Sequence, residues 1–230
     1  MKLILFDIDG TLMDAGGAGS KSLNDAFYEL FSIEDALKNI KFDGKTDLRI
    51  FKEGMKYHRL TDGNGALVSI REQYLKRLKV EINNDKRHIK PGITTLIEAL
   101  QGKHHHIGLL TGNLMAGAEI KLRSVDLWHY FEGGAFGDTH EDRNRLLPIA
   151  VDNIYEKTGK RFPYNQCVII GDTPRDVEVG KTHGAFTIAV ATGPYSQVQL
   201  QQTGADAVLN DLSDTNTVMS LIGSAMSNYF

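Results

Sequence analysis

The chain has 230 residues, of which 41% are hydrophobic and 24% charged, and its formal net charge is -3. This composition is typical of an ordered globular protein, and the charge gives no overall basic field that would attract nucleic acid or anionic lipid. The single cysteine, Cys167, excludes an internal disulfide and favours a reducing compartment. The apolar stretch at residues 3–6 is too short for a secretory signal, and no run approaches the roughly 18 residues of a membrane span. We therefore expect a cytoplasmic protein.

Five short apolar runs recur along the chain, and such runs are typical of strands buried on both faces of a parallel sheet. They cover residues 3–6, 107–110, 168–170, 186–191 and 207–209. From about residue 91 onward they alternate with segments of helical spacing, such as Ile93, Leu96, Ile97 and Leu100. The alternation predicts an α/β fold with a doubly wound parallel sheet, whose active site lies beyond the carboxyl ends of the strands.

The stretch from residue 16 to residue 90 interrupts this rhythm. It contains no buried-strand run, and its apolar residues follow helical spacing from Leu23 to Phe31 and from Leu67 to Leu78. Turn-prone residues stand at its two ends, at 16–17 and from 83 to 92. We therefore expect a catalytic core made of residues 1–15 and 91–230, with a small helical domain, residues 16–90, inserted after the first strand. This segment is called the helical insert below.

Polar residues follow three of the predicted strands. Asp7 and Asp9 follow the first strand, residues 111–113 follow the second, and Asp172 and Asp176 follow the third. Taken singly, each group has an ordinary explanation as a turn, a loop or a helix N-cap. Four carboxylates that converge at one end of a sheet would repel one another unless a hard cation such as Mg²⁺ bound them. The sequence therefore predicts a magnesium site at this edge.

The residues after the second strand have the chemistry of a phosphate site. Thr111, Gly112 and Asn113 offer a hydroxyl, an unhindered backbone N–H and an amide donor. Arg143 and Arg145 precede a helical stretch, and either of them could place a cation on the same phosphate. A surface salt bridge is the ordinary role of either arginine, so the sequence leaves the choice between them open.

Three segments of the chain resemble the signature motifs of the haloacid dehalogenase-like hydrolase superfamily. They are residues 7–12 (Asp-Ile-Asp-Gly-Thr-Leu), 111–113 (Thr-Gly-Asn) and 171–176 (Gly-Asp-Thr-Pro-Arg-Asp). Within the superfamily, the chain is similar to phosphoglycolate phosphatase-like members. The helical insert resembles their small cap domain, and Gly44-Lys45-Thr46-Asp47 resembles a part of that cap that faces the active site.

The resemblance implies a magnesium-dependent phosphatase that hydrolyses a small phosphorylated metabolite through an aspartyl-phosphate intermediate. Asp7 would be the nucleophile, and Asp9 would protonate the leaving group and then activate water. The Asp7 carboxylate, the backbone carbonyl of Asp9 and Asp172 would hold Mg²⁺, and Asp176 would support them.

The resemblance also implies how the substrate is held. Thr111 and a basic residue would bind the phosphoryl oxygens, together with the backbone and amide of Gly112 and Asn113. The chain departs from the common family pattern of a lysine followed by prolines, because position 143 is an arginine and Arg145 stands close enough to compete. Lys45 is the candidate that would attract an anionic leaving group.

Several other functions remain open at this point. A phosphomutase on the same fold would use the same first motif, and a phosphonatase would need a lysine such as Lys21, Lys45 or Lys52 in the cap. A noncatalytic regulator could keep the fold without the chemistry, although the complete set of carboxylates argues against it. A dehalogenase needs neither magnesium nor a second aspartate. The substrate and the oligomeric state cannot be derived from the sequence.

Overall fold

The computed structural model describes residues 1–138 and 140–225. Eight strands are present in these ranges: β1 (Leu3–Phe6), β2 (Met13–Asp14), β3 (His88–Ile89), β4 (His106–Leu110), β5 (Gly134–Ala135), β6 (Cys167–Gly171), β7 (Phe186–Val190) and β8 (Ala207–Leu209). Six of them form one parallel sheet in the order β5-β4-β1-β6-β7-β8. The five predicted strands all lie in this sheet, and the prediction of a parallel α/β sheet is confirmed. The sixth strand, β5, has only two residues, too few to give a sequence pattern.

Nine α-helices accompany the strands in the described ranges. They are α1 (Ala18–Phe31), α2 (Asp47–Tyr57), α3 (Ala66–Glu81), α4 (Ile93–Gly102), α5 (Met115–Arg123), α6 (Leu146–Thr158), α7 (Pro174–His183), α8 (Gln197–Gln201) and α9 (Thr215–Ser224). None of the helices in these ranges is both long enough and apolar enough to cross a lipid bilayer.

The apolar run of β1 is continuous because both faces of this central strand are covered. Ile4 and Phe6 belong to an apolar cluster that includes residues of α4 and α9, whereas Leu3 and Leu5 belong to a second cluster with residues of α6. All four side chains are fully buried. Alternate residues of a strand point to opposite faces, so a strand between two helical layers needs apolar residues at every position.

The helical insert contains α1, α2 and α3, and its apolar residues continue the cluster on one face of the sheet. The sequence analysis identified the stripes of α1 and α3 but not α2, whose short stripe includes Gly54. A Cβ at Gly54 would lie 2.8 Å from the Phe27 ring of α1, so this glycine permits close packing of the two helices.

The two connections between insert and core pair with each other. Met13 and Asp14 of β2 form an antiparallel ladder with Ile89 and His88 of β3. The amide of Asn84 donates to the carbonyl of Ala15 at 3.1 Å. β3 lies within the turn-prone stretch 83–92 and β2 lies just before residues 16–17, so the two connections form a hydrogen-bonded two-stranded ribbon.

Candidate active site

The sheet order brings the three polar segments together. β1 lies between β4 and β6, with Phe6 in register with Leu109 on one side and with Ile170 on the other. Because all three strands are parallel, the residues that follow them leave the sheet at the same edge. Asp7 continues the β1 direction, and its backbone N–H donates to the carbonyl of Ile170 at 2.9 Å. The predicted convergence of motifs is thus a direct result of strand order.

Asp7, Asp172 and Asp176 form a buried carboxylate cluster in which one oxygen of each residue lies within 4.8 Å of the others. Their exposed fractions are 5%, 1% and 2%. Burial, together with the neighbouring carboxylates, raises the pKa of Asp7 to about 6 despite the opposing effect of Arg143. Burial and the charges of Asp7 and Asp176 likewise raise the pKa of Asp172 well above its usual value. The cluster is therefore unfavourable as a set of anions unless a cation joins it.

The space around Asp172 suits a small hard cation. A Cβ at Gly10 would lie 2.3 Å from Asp172 Oδ2, and a Cβ at Gly193 would lie 1.6 Å from the same oxygen. Any side chain at either position would therefore collide with Oδ2, and glycine leaves this oxygen accessible. The Thr11 hydroxyl donates to Asp172 Oδ1 at 3.0 Å. Among the residues that the structure describes, Oδ2 accepts no hydrogen bond. A buried set of carboxylate oxygens with one oxygen free is the donor chemistry that Mg²⁺ prefers.

Arg143 is the cation that the chain itself places in this cluster. Its Nη2 lies 3.0 Å from Asp7 Oδ1 and also pairs with Asp176 Oδ1. The side chain is only 7% exposed. Arg145 is exposed and does not line the adjoining cavity. Of the two arginines between which the sequence left the choice open, Arg143 is therefore the one that contacts Asp7 and borders the cavity.

Asp176 has two structural tasks. Its Oδ2 accepts hydrogen bonds from the backbone N–H and the hydroxyl of Thr173, at 3.0 and 2.8 Å, which forms a capping box at the start of α7. Its other oxygen pairs with Arg143. The N-cap of α7 is Thr173 rather than Asp172, so Asp172 is not needed to begin the helix.

Asp9 lies apart from the three buried carboxylates and belongs to a separate hydrogen-bonded group. Its Oδ2 accepts from Lys121 Nζ at 2.6 Å and from the Asn113 amide at 2.8 Å. Lys121 also donates to Asn113 Oδ1 at 2.6 Å, and the Asn113 amide donates to Thr111 Oγ1 at 2.9 Å. With 45% of its side chain exposed, Asp9 faces the cavity described next.

Lys121 is a residue of this site that the sequence analysis missed. It lies on α5 and is only 4% exposed, on the same buried side as Gly117, Ala118 and Leu122. A lysine in the apolar stripe of a helix is uncommon, because burying an ammonium group requires a partner. The position of Lys121 in this apolar stripe was therefore the feature of the sequence that could have indicated a buried lysine with a charged partner.

A cavity of about 420 Å³ opens at this edge of the sheet between the core and the helical insert. Asp7, Asp9, Gly112, Asn113 and Arg143 line its core side. Thr111 is fully buried and does not line the cavity.

On the insert side of the cavity, Lys45 is committed to an ion pair. Its Nζ lies 2.5 Å from Glu53 Oε2. Two other lysines of the insert, Lys21 and Lys52, pair with surface carboxylates and do not line the cavity. Of the three lysines considered for a phosphonatase, only Lys45 therefore borders the site.

The insert segment 44–47 packs directly on the loop after β4. The Asp47 N–H donates to the Gly112 carbonyl at 2.7 Å, and the Leu114 N–H donates to Asp47 Oδ2 at 2.8 Å. A Cβ at Gly112 would lie 2.1 Å from the Lys45 carbonyl oxygen. Gly112 is therefore glycine because the insert approaches it this closely. Burial raises the pKa of Asp47 to about 6.

Comparison with known proteins agrees with this geometry. The family model described as haloacid dehalogenase-like hydrolase matches residues 4–190. The chain is 23% identical over 225 residues to a phosphoglycolate phosphatase of Aliivibrio fischeri, which covers 96% of this chain and 97% of that protein. It is 26% identical over 223 residues to a phosphoglycolate phosphatase of Aquifex aeolicus, with 95% and 97% covered.

Solved structures show the same fold. A hydrolase from Pseudomonas syringae superposes with a TM-score of 0.75 at 19% identity, and the match covers 96% of this chain and 98% of that one. The family model spans most of the chain and includes all three motifs, whose residues the fold brings to one edge of the sheet. The chain belongs to the haloacid dehalogenase-like hydrolase family.

Proposed function

We propose that the protein is a magnesium-dependent phosphatase that hydrolyses a small phosphomonoester through an aspartyl-phosphate on Asp7. The observation that carries the proposal is the position of the Asp7 carboxylate. It lies in a buried carboxylate cluster, 3.0 Å from an arginine, and it borders a cavity large enough for a small metabolite. The names of the relatives, which include several phosphoglycolate phosphatases, support this class of reaction.

The Asp7 carboxylate, the Asp9 carbonyl and Asp172 would hold Mg²⁺. When bound, the ion would neutralise charge on the carboxylates and on the phosphoryl oxygens. Asp176 would act through Arg143, since the ion pair between them fixes the guanidinium beside Asp7. Arg143 would bind a phosphoryl oxygen and offset the negative charge that develops there.

The other phosphate donor is on the loop after β4. The Gly112 N–H has no acceptor among the residues that the structure describes, so it is available to a phosphoryl oxygen. The Thr111 hydroxyl accepts from Asn113 and lies outside the cavity lining, so it would position Asn113 rather than bind the phosphoryl oxygen as expected from the sequence. We assign the Gly112 N–H to phosphate binding, with the amide of Asn113 as the link to Asp9.

Asp9 is suited to acid–base work. Lys121 and Asn113 both donate to Oδ2, whereas Oδ1 has no partner among the described residues. A carboxylate held by one oxygen can exchange a proton at the other. In the first half-reaction Asp9 would give a proton to the leaving alcohol, and in the second it would take one from the attacking water.

The helical insert would act as the cap that covers the substrate. The core side of the cavity supplies groups for a phosphoryl group and a metal, and selectivity must then come from the insert. Segment 44–47 closes on the loop after β4 through two hydrogen bonds of Asp47. A cap of this kind excludes water while the aspartyl-phosphate forms.

The test is a screen of small phosphate esters with the wild-type protein and Asp7→Asn, each with Mg²⁺ and with EDTA. We expect release of inorganic phosphate only by the wild-type protein with Mg²⁺. Transfer of phosphate to a sugar without release would favour the mutase alternative. Turnover in EDTA, or by Asp7→Asn, would contradict the proposed mechanism.

A further inference from the structure

The cavity continues past Asp9 to a place where three helices meet. Gly19 of α1, Tyr74 of α3 and Lys121 of α5 all line it there. A Cβ at Gly19 would lie 3.6 Å from Lys121 Nζ and 3.9 Å from the Tyr74 hydroxyl oxygen. Two polar groups therefore converge on a space that the missing side chain of Gly19 leaves open.

Both polar groups have hydrogen-bonding capacity to spare. Lys121 Nζ donates to Asp9 and Asn113, and an ammonium group has a third N–H. The Tyr74 side chain is 2% exposed, and its hydroxyl has no partner among the residues that the structure describes. Both groups line the cavity, so the Tyr74 hydroxyl and the third N–H of Lys121 can donate to an acceptor oxygen of a ligand bound at this place.

The charges around the cavity restrict the nature of that oxygen. Six aspartates and four basic residues line the cavity. Each basic residue is already paired with a carboxylate of the chain: Lys45 with Glu53, Lys90 with Asp14, Lys121 with Asp9 and Arg143 with Asp7. At this place the cation is Lys121, and its charge is balanced by Asp9, so a second anionic group on the substrate would find no excess positive charge here. A hydroxyl oxygen can accept hydrogen bonds here without needing such a charge.

We propose that Lys121 and Tyr74 form the subsite for the leaving group and that this leaving group is an uncharged hydroxylated alcohol. The inference rests on the proposed phosphatase function and specifies its substrate class. The Lys121 ammonium holds Asp9, so the subsite is adjacent to the group that protonates the ester oxygen. It differs from the expectation that Lys45, which pairs with Glu53, attracts an anionic leaving group.

A pair of esters that differ in one group tests the substrate class. In 2-hydroxyethyl phosphate a hydroxymethyl group replaces the carboxylate of 2-phosphoglycolate. We expect the wild-type protein to have a kcat/KM at least about tenfold higher for 2-hydroxyethyl phosphate, because the cation of the subsite, Lys121, is already balanced by Asp9. A preference for 2-phosphoglycolate, or equal kcat/KM values, would overturn the proposal.

Tyr74→Phe tests the subsite itself. The ratio of kcat/KM for 2-hydroxyethyl phosphate to that for p-nitrophenyl phosphate should fall by roughly 3- to 10-fold, the effect of one hydrogen bond. The exposed Tyr28 of α1 provides the matched control, and Tyr28→Phe should leave the ratio unchanged. An unchanged ratio in Tyr74→Phe would remove Tyr74 from the subsite.

Binding to a variant that cannot turn over separates this inference from the phosphatase proposal. In an Asp7→Asn background, calorimetry should detect tighter binding of 2-hydroxyethyl phosphate than of 2-phosphoglycolate, and Tyr74→Phe should weaken the former. If the wild-type protein hydrolyses no ester, the phosphatase proposal fails. The relative affinities of the two esters then test the subsite by themselves. Tighter binding of 2-phosphoglycolate would contradict the subsite even in an active enzyme.

Discussion

The two sides of the active-site cavity are built in different ways. On the core side, Asp7 and Asp172 directly follow neighbouring parallel strands, and the backbone pairing of β1 with β6 sets their separation. On the insert side, Gly19 of α1 and Tyr74 of α3 meet each other, and Lys121 of the core helix α5, only through packing. Under the proposed function, the core side would supply the reacting groups and the insert side would select the leaving group by its shape.

This difference predicts how each side responds to mutation. A change on the core side removes a reacting or metal-binding group and affects every substrate alike. A change on the insert side alters contacts with the leaving group and so changes the ratio between substrates. The following variants test this separation, beginning with the largest expected effect.

Asp7→Asn should reduce kcat for every phosphate ester by at least about 1,000-fold, because an amide is neither a competent nucleophile nor an anionic ligand. The measurement is phosphate release from several esters. Glu178→Gln is a suitable control, since Glu178 pairs with the exposed Arg175 and does not line the active-site cavity. If Asp7→Asn still hydrolysed one of the esters at the wild-type rate, core-side changes would not affect every substrate alike, and Asp7 would not be the nucleophile for that ester.

Asp9→Asn should reduce kcat by roughly 100- to 10,000-fold, the usual contribution of a general acid–base group. It should nevertheless retain Mg²⁺ affinity better than Asp172→Asn does, because only the backbone carbonyl of Asp9 is assigned to the metal. Calorimetric titration with Mg²⁺ measures the difference. Equal loss of affinity in the two variants would contradict the separate roles of these aspartates.

Gly112→Ala tests the contact between the two sides. The new methyl group would lie 2.1 Å from the Lys45 carbonyl oxygen, so segment 44–47 must move away from the loop after β4. We expect kcat/KM to fall by roughly 10- to 100-fold, since small misplacements of substrate-positioning groups have effects of that size. Gly102→Ala is the control, because a Cβ at Gly102 has no neighbour within 4 Å. Equal kinetics for the two variants would show that insert contact is not needed.

We expect the smallest effect in the pH dependence of the free energy of unfolding, to which Asp7 on the core side and Asp47 on the insert side both contribute. Burial raises the pKa of both Asp7 and Asp47 to about 6 when no metal is bound. A carboxyl group with a raised pKa binds its proton more tightly in the folded state, so the free energy of unfolding should fall as pH rises from about 4 to 6. Saturating Mg²⁺ should remove the contribution of Asp7 and leave that of Asp47. Denaturant unfolding at several pH values measures this, and identical curves with and without Mg²⁺ would argue against the metal site.

The same contrast explains how much the sequence could predict. Four aspartates were predicted to converge, because they follow recognisable strands and parallel strands share an edge. Asp7, Asp172 and Asp176 do so. The side chain of Asp9 instead pairs with Lys121. Tyr74 was recognised only as part of an apolar helical stripe, since periodicity indicates burial but not which neighbour a hydroxyl will face. Lys121 had no motif at all, and its contact with Asp9 joins residues 112 positions apart in the chain.

The insert was less predictable than the core for a related reason. The stripes of α1 and α3 are long enough to recognise, and α2 is not. That Gly112 must be glycine depends on the approach of Lys45 rather than on its own backbone turn. Such requirements arise from tertiary packing, which a single sequence does not display.

The most direct test of the account is a pre-steady-state measurement with Asp9→Asn and p-nitrophenyl phosphate. Nitrophenolate leaves without a general acid, whereas hydrolysis of the aspartyl-phosphate still needs Asp9 to activate water. For Asp9→Asn we predict a rapid burst of about one nitrophenolate per protein molecule, followed by slow turnover. We predict no burst in EDTA, and none in the double variant that carries both Asp9→Asn and Asp7→Asn. Slow linear release without a burst, or a burst that persists in the Asp7→Asn double variant, would contradict covalent catalysis by Asp7.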